Sequence, residues 1–256
     1  MEELLSRDAE LDVQLPGGAY EGSDPDGFLP RDDIVAHLER YGESFDAPVR
    51  EGVAVTEIAT TDDGFRLRTS DGDLLARSVV LATGAYQRPH RPAASASLPP
   101  SVDQIDVEGY SEPAALPDGD VLIVGSGQSG CQIAEELLDA GREVVLSCGR
   151  APWGPRRVNG RDTVWWSVES GFLDAPGASL PSPDARLFAN VLASGHGGGH
   201  DLHLRVLRER GVTLAGHFLG AEDGRVRFAP DLAESVAWGD ERYTTLRGVF
   251  GKFAAE

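Results

Sequence analysis

Residues 120–138 constrain the fold of this chain more than any other stretch. Four apolar residues at 121–124 are followed by Gly125, Gly127 and Gly130, and then by an apolar periodicity typical of a helix. When G-x-G-x-x-G lies between a strand and a helix, its first glycine permits a tight turn and its second lets the backbone approach a pyrophosphate. The third glycine lets the helix pack closely on the strand. The run therefore predicts a dinucleotide site at the positive end of a helix.

The candidate contacts to the nucleotide are the residues of this loop and of the first helical turn: Gly125, Ser126, Gly127, Gln128, Ser129 and Gly130. A second strand is expected at residues 143–146, and enzymes that use NAD place an Asp or Glu at its end for the ribose 2′-hydroxyl. This chain instead has Ser147-Cys148-Gly149-Arg150, without a carboxylate. Because the arginine fork matches a phosphate dianion, we predict NADP, with Ser147 and Arg150 as the leading phosphate contacts. Arg156 and Arg157 are weaker candidates, since loop arginines are usually solvated.

Composition narrows the possible partners. The 256 residues carry a net charge of −19, which makes nucleic acid and anionic membranes poor partners. Lys252 is the only lysine, and an acidic surface with arginine in place of lysine favours a halophilic cytoplasm over the alternative of a GC-rich genome. No stretch approaches the ~20 apolar residues of a membrane span, and the first residues do not resemble a signal peptide. We therefore expect a cytoplasmic protein whose two cysteines are reduced thiols.

Further elements are predicted from periodicity and turn residues. Helices are expected at 31–46, 161–171, 184–193, 201–210 and from Asp231 onwards, and strands at 53–58, 65–69, 78–84, 212–219 and 225–228. A turn at 62–64 is expected to join two of these strands as a hairpin. Residues 153–161 are predicted to form a loop. His196, His200 and His203 could supply zinc ligands, but their spacing matches no ligand pattern, so we predict no metal site. Asp201 is expected to cap the helix that follows it.

Several motifs in this order resemble one family. They are Phe28-Leu29-Pro30-Arg31-Asp32, Leu81-Ala82-Thr83-Gly84 with Pro89 and Pro92, Leu116-Pro117-Asp118-Gly119, the Gly125 motif, Arg150 and Gly198-Gly199-His200-Asp201-Leu202. The chain resembles the flavin-containing monooxygenase-like oxidoreductases, in particular their bacterial and archaeal branch of flavoproteins. The resemblance implies an α/β fold in which a Rossmann-type NADP domain is inserted into an FAD-type domain with a mixed sheet.

By this resemblance, residues 1–114 form a partial FAD-type domain, residues 115–225 the NADP domain, and residues 226–256 return toward the FAD-type domain. Val55 is then expected at the adenine of FAD, and Ala82, Thr83 and Gly84 where the chain crosses between the two cofactors. The family's own FAD glycine motif and its closing Ala-Thr-Gly segment have no counterpart in this sequence. We therefore expect a chain truncated at both ends, with an incomplete FAD site.

The resemblance implies hydride transfer from NADPH to FAD, and then electron transfer to oxygen or another small-molecule acceptor. The alternative is a degenerate, non-catalytic NADP-binding protein or fragment. Possible assemblies are a homo-oligomer or a pair with a full-length paralogue. No side chain is identified as a catalytic acid or base.

Overall fold

The computed structural model describes residues 15–18, 28–84, 88–174, 176–179 and 192–253. Its helices are α1 (Arg31–Glu43), α2 (Gln128–Asp139), α3 (Thr163–Glu169), α4 (Leu204–Arg210) and α5 (Leu232–Phe253). Its strands are β1 (Val55–Thr61), β2 (Gly64–Thr69), β3 (Gly72–Ala76), β4 (Val121–Val124), β5 (Val144–Ser147), β6 (Arg157–Val158), β7 (Arg161–Asp162), β8 (Ala193–Ser194), β9 (His200–Asp201), β10 (Thr213–Ala215), β11 (Phe218–Glu222) and β12 (Arg225–Phe228). The predicted α/β fold class is confirmed.

A parallel sheet with the order β10-β5-β4 carries the glycine motif. β4 leads through the glycine loop into α2, and α2 returns the chain to β5, which pairs with β4 from Val121 opposite Val144 to Val124 opposite Ser147. This is a βαβ unit, the arrangement in which G-x-G-x-x-G acts as a nucleotide loop. The third strand, β10, pairs with the other edge of β5. All three strands therefore end at the same edge of the sheet.

The main hydrophobic core lies between this sheet and the helices α2 and α4. Its members include Leu137 and Cys131 of α2, Leu146 of β5 and Leu207 of α4, all fully buried. The start of α5 also packs against this core, through Leu232 and other side chains of that helix. The βαβ unit is thus buried on its helical side, as a parallel sheet requires.

Residues 38–90 form a separate compact unit. Its centre is the antiparallel sheet β1-β2-β3, in which Thr61 pairs with Gly64 across the expected hairpin turn. The predicted strand at 78–84 is wrong. This segment pairs with no strand in the described residues, and its large apolar side chains Val80 and Leu81 are 88% and 72% exposed. An apolar run adopts a strand only when a neighbouring strand satisfies its backbone and a core covers its side chains.

The remaining elements follow the predicted pattern with local differences. The segment 153–161, read as a loop, contains the short hairpin β6–β7, and the helix expected at 161–171 is α3. The final helix, α5, begins where it was expected, and the predicted helix at 184–193 lies almost wholly outside the described residues. Within the described part of the chain, no helix is long and apolar enough to cross a membrane. The expected domain boundaries at residues 115 and 226 stay predictions.

Candidate functional site

The glycine loop forms an open cradle at the start of α2. Gly125 has φ +116°, a conformation that side chains other than glycine rarely adopt. A β-carbon at Gly130 would overlap the carbonyl oxygen of Gly125, so this position admits only glycine. At Gly127, the N-cap of α2, a β-carbon would meet no protein atom within 4 Å. The first turn of α2 carries no acidic residue, and the N–H groups of a first helical turn have no partner within the helix, an arrangement suited to a pyrophosphate.

Two side chains of the loop hold its shape. Ser126 is buried, and its hydroxyl accepts a hydrogen bond from the Gly149 amide at 3.0 Å and contacts the Gly149 carbonyl oxygen at 3.2 Å. The Gln128 amide group donates to the Ala193 carbonyl and accepts from the Ala193 N–H at 3.0 Å. These two residues therefore hold the loop against the segment after β5 and against β8. Ser129 is exposed on the first turn of α2.

The two predicted phosphate contacts at the end of β5, Ser147 and Arg150, differ in their exposure and in their hydrogen bonds. The Ser147 hydroxyl is buried and donates to the Gly216 carbonyl oxygen at 2.9 Å. Arg150 is exposed and makes no ion pair or hydrogen bond within the described residues. It lines an open pocket of about 430 Å³ with His217, Asp231, Glu234 and Ser235. Arg150 is thus the residue of the pair whose charge is available to a ligand.

Sequence reasoning missed His217, which follows the end of β10 by two residues. Its Nδ1 lies 2.5 Å from Asp231 Oδ2, and its backbone N–H donates to Asp231 Oδ1 at 3.0 Å. These bonds lower the pKa of the Asp231 carboxyl below its ordinary value. A β-carbon at Gly149 would lie 3.1 Å from His217 Nε2. The signal for His217 was its position, because ligands of parallel sheets bind outside the carboxyl ends of the strands.

Arg156 and Asp201 have other roles than those expected. Arg156 is buried rather than solvated, its Nε donates to Asp162 at 2.7 Å, and its guanidinium lies over the ring of Phe28. Asp201 does not cap α4; it accepts from the Arg156 backbone N–H at 2.6 Å and from the Tyr243 hydroxyl at 2.8 Å. Because its two oxygens accept these hydrogen bonds, the Asp201 carboxylate does not cap the first turn of α4.

The N-cap of α4 is His203, whose side chain accepts from the Val206 N–H, and its burial lowers the pKa of its imidazole. His200 is bonded to Glu135 at 2.6 Å, and Arg210 also pairs with Glu135. His196 lies 3.5 Å from Asp139. In the described residues, no group of three or more His, Cys, Asp or Glu side chains is arranged to hold a metal ion.

The predicted FAD contacts all lie in the unit of residues 38–90. Val55 is the first residue of β1 and is 51% exposed, and Ala82, Thr83 and Gly84 are exposed. The described residues contain one strand–glycine-loop–helix cradle, the one at Gly125. Among the described residues, the backbone donors therefore fit the pyrophosphate of one dinucleotide and form no second such cradle for FAD.

The glycine cradle and the parallel βαβ sheet define an α/β protein with a Rossmann-type fold. Comparison with known families agrees with that class. The chain belongs to the pyridine nucleotide-disulphide oxidoreductase family, whose model matches residues 23–165. Its predicted membership of the flavin monooxygenase-like oxidoreductases is confirmed.

Two bacterial proteins are similar in sequence. An uncharacterized CzcO-like oxidoreductase from Geobacillus kaustophilus is 38% identical over 62% of this chain and 46% of its own length. The uncharacterized oxidoreductase CzcO from Bacillus subtilis is 31% identical over 84% of this chain and 60% of its own length. The chain thus spans about half the length of the curated relatives it matches.

Solved structures support the fold. A mutant flavin monooxygenase from Stenotrophomonas maltophilia superposes with a TM-score of 0.59 at 21% identity, over 89% of this chain and 59% of that protein. At this identity the similarity concerns the fold alone. It agrees with the α/β architecture that the strands and helices define.

Proposed function

We propose that this chain binds NADPH at the Gly125 cradle and acts as the nucleotide-binding part of a flavin-dependent oxidoreductase of the monooxygenase-like type. The observation that carries the proposal is the open space at Gly127, the N-cap residue of α2. A pyrophosphate in this space would accept hydrogen bonds from the free N–H groups of the first turn. Gly125 and Gly130 shape the cradle, and Ser126 and Gln128 keep it in place.

The preference for NADPH over NADH would come from Arg150. The adenosine ribose is expected at the end of β5, where NAD enzymes place a carboxylate and where the segment Ser147-Cys148-Gly149-Arg150 has none. The exposed guanidinium of Arg150 would there pair with the 2′-phosphate, while Ser147 supports the strand end through Gly216. The Rossmann unit would thereby hold the nicotinamide nucleotide in a fixed orientation.

A bound flavin would supply the redox chemistry of the proposed reaction, which is acceptance of the hydride of NADPH and delivery of the electrons to oxygen or another small-molecule acceptor. The contribution of this chain is to bind and orient the hydride donor. Because the described residues form one cradle, we assign Val55 and Ala82–Thr83–Gly84 to the flavin only by resemblance to the family.

A second candidate function is an NADP-binding protein that carries out no redox reaction by itself. The exposure of Val80 and Leu81 beside the Ala82–Gly84 segment favours it, since a bound flavin needs a covered site. The purified chain distinguishes the two functions. Visible flavin absorbance that bleaches on addition of NADPH supports the oxidoreductase, whereas a colourless protein that still binds NADPH supports the second function.

The nucleotide site is tested by titrating the chain with NADPH and NADH in a calorimeter. Gly127→Ala places a methyl group in the cradle without touching another protein atom, so we expect a normal fold and at least a tenfold loss of NADPH affinity. Gly248→Ala is the matched control, because Gly248 also has free space around its β-carbon and lies in α5. Equal NADPH affinity in the Gly127→Ala variant and the original protein would contradict the proposed site.

A further inference from the structure

The carboxyl ends of the three parallel strands place a histidine at the proposed nucleotide site. β5 ends at Ser147 and leads to Arg150, and β10 ends at Ala215 and leads to His217. The two strand ends are tied together, since the Cys148 N–H donates to the Ala215 carbonyl at 2.9 Å. Arg150 and His217 therefore line one pocket, although 67 positions separate them in the sequence.

The imidazole of His217 has a defined orientation in this pocket. Asp231 accepts from Nδ1 and from the backbone N–H of the same residue, which fixes the ring and places the exchangeable position at Nε2. Nε2 lies beside Gly149, the residue before Arg150, and the side chain is 57% exposed. A ligand that reaches Arg150 can therefore also reach this nitrogen.

The charges around the pocket determine what it can bind. Arg150 comes from the loop after β5, Asp231 immediately precedes α5, and Glu234 lies in the first turn of α5. The remaining titratable neighbour is the Cys148 thiol, whose burial raises its pKa to about 12 and keeps it neutral. With a neutral imidazole, one positive charge faces two carboxylates, and this balance opposes a phosphate dianion. With a protonated imidazole the charges cancel, and Nε2 becomes a donor.

We propose that His217 is a specificity-determining residue for the nucleotide, which contacts the 2′-phosphate of NADPH together with Arg150 and takes up one proton from solvent when that phosphate binds. This inference rests on the proposed NADPH site and deepens it. The proton adds to Nε2, no covalent bond to the nucleotide forms, and the proton returns to solvent when the nucleotide leaves. Discrimination between NADPH and NADH then depends on pH.

The direction of the pH dependence follows from this exchange. Proton uptake on binding makes the affinity for NADPH fall as the pH rises, and we expect a roughly tenfold fall across a titration from about pH 6.5 to about pH 8.5. The phosphate itself has a second pKa near about 6 and would lose a proton on binding to a cation, which makes affinity rise with pH instead. Proton uptake by His217 and proton release by the phosphate therefore change the NADPH affinity in opposite directions as the pH rises. NADH lacks the phosphate, and its affinity stays constant over this range.

The test uses calorimetric titration of the full chain with NADPH and NADH across this pH range, in buffers of different ionisation enthalpy so that bound protons are counted. We expect an average net uptake of about half a proton per NADPH over this range, which is the amount that a tenfold change across two pH units requires, and none per NADH. His217→Gln keeps a polar group of similar size and should abolish the uptake. It should also weaken NADPH binding about tenfold at the acidic end of the range, with little effect at the basic end.

Glu234→Gln supplies a second variant that keeps the imidazole and removes one facing carboxylate. It should tighten NADPH binding severalfold at the basic end and leave NADH unchanged. An unaltered pH profile in the His217→Gln variant, or the same pH dependence for NADH, would overturn the role of His217. The proposed NADPH site would still stand if the Arg150→Gln variant lost its preference for NADPH over NADH. Absence of NADPH binding at every pH contradicts the proposed function as well.

Discussion

The α-carbon of Gly130 lies so close to the carbonyl oxygen of Gly125 that a β-carbon would overlap it. This contact joins the first turn of α2 to the end of β4 and sets the distance between helix and strand. The third glycine of the motif is therefore needed by the fold, whereas no neighbouring protein atom requires a glycine at position 127.

The first prediction separates these two roles. Gly130→Ala forces the glycine loop or α2 to shift, and we expect a loss of about 1–3 kcal/mol in the free energy of unfolding, the usual cost of an overpacked site. Urea denaturation followed by circular dichroism measures this change. Gly127→Ala is the control and should unfold with the original midpoint. A Gly130→Ala variant of unchanged stability would contradict the close contact.

The second prediction concerns the buried ion pair between Arg156 and Asp162, in which both side chains are 9% exposed. Arg156→Met leaves the Asp162 carboxylate buried without its partner, which should cost about 3–5 kcal/mol in unfolding free energy. The exposed pair of Arg205 and Asp240 is the control, and Arg205→Met should cost less than about 1 kcal/mol. Similar losses in the two variants, measured by urea denaturation, would be evidence against the burial of the first pair.

A third prediction follows from the two cysteines. Cys131 and Cys148 are at most 1% exposed, and burial raises the pKa of both thiols. Since the thiolate is the reactive form, neither should react with a disulfide reagent in the folded protein, and both should react after unfolding in urea. Ser101→Cys places a thiol at an exposed position and serves as a positive control. Rapid modification of the native protein would show that one of the buried thiols is accessible.

The fourth prediction tests the acidic composition. With a net charge of −19, mutual repulsion opposes the folded state, and added salt screens it. The melting temperature should rise as KCl increases to about 1 M, where the screening length falls to ~3 Å. The control is a pH close to the isoelectric point of about 4.6, where net repulsion vanishes and the rise should shrink. An equal rise at both pH values would point to a salt effect other than screening.

The strand, glycine loop and helix at residues 121–139 could be predicted because their signal is local. The three glycines, the apolar strand and the helical periodicity all specify the same βαβ unit, so nothing in the rest of the fold could override them. The hairpin of β1 and β2 was predictable for the same reason. Its turn residues Asp62-Asp63-Gly64 lie between two alternating segments.

Features that depend on distant parts of the chain were not predictable. The segment 78–84 has the composition of a buried strand. A strand also requires a neighbouring strand to pair with, and the composition of a segment does not show whether one is present. Asp201 has the residue type and the position expected of a helix cap. Its carboxylate oxygens instead accept hydrogen bonds from the Arg156 backbone N–H and the Tyr243 hydroxyl. His217 becomes part of the candidate site only because β10 pairs with β5.

At the proposed site, the pairing of β10 with β5 would also couple ligand binding to folding. Gly125 and His217 lie 92 positions apart, so no unfolded segment of the chain presents both to a nucleotide. A ligand that engages both therefore binds the native state almost alone, and at a hundred times its Kd it would stabilise that state by about 2.7 kcal/mol. The nucleotide concentration in the cell would then determine how often the sheet of β4, β5 and β10 unfolds.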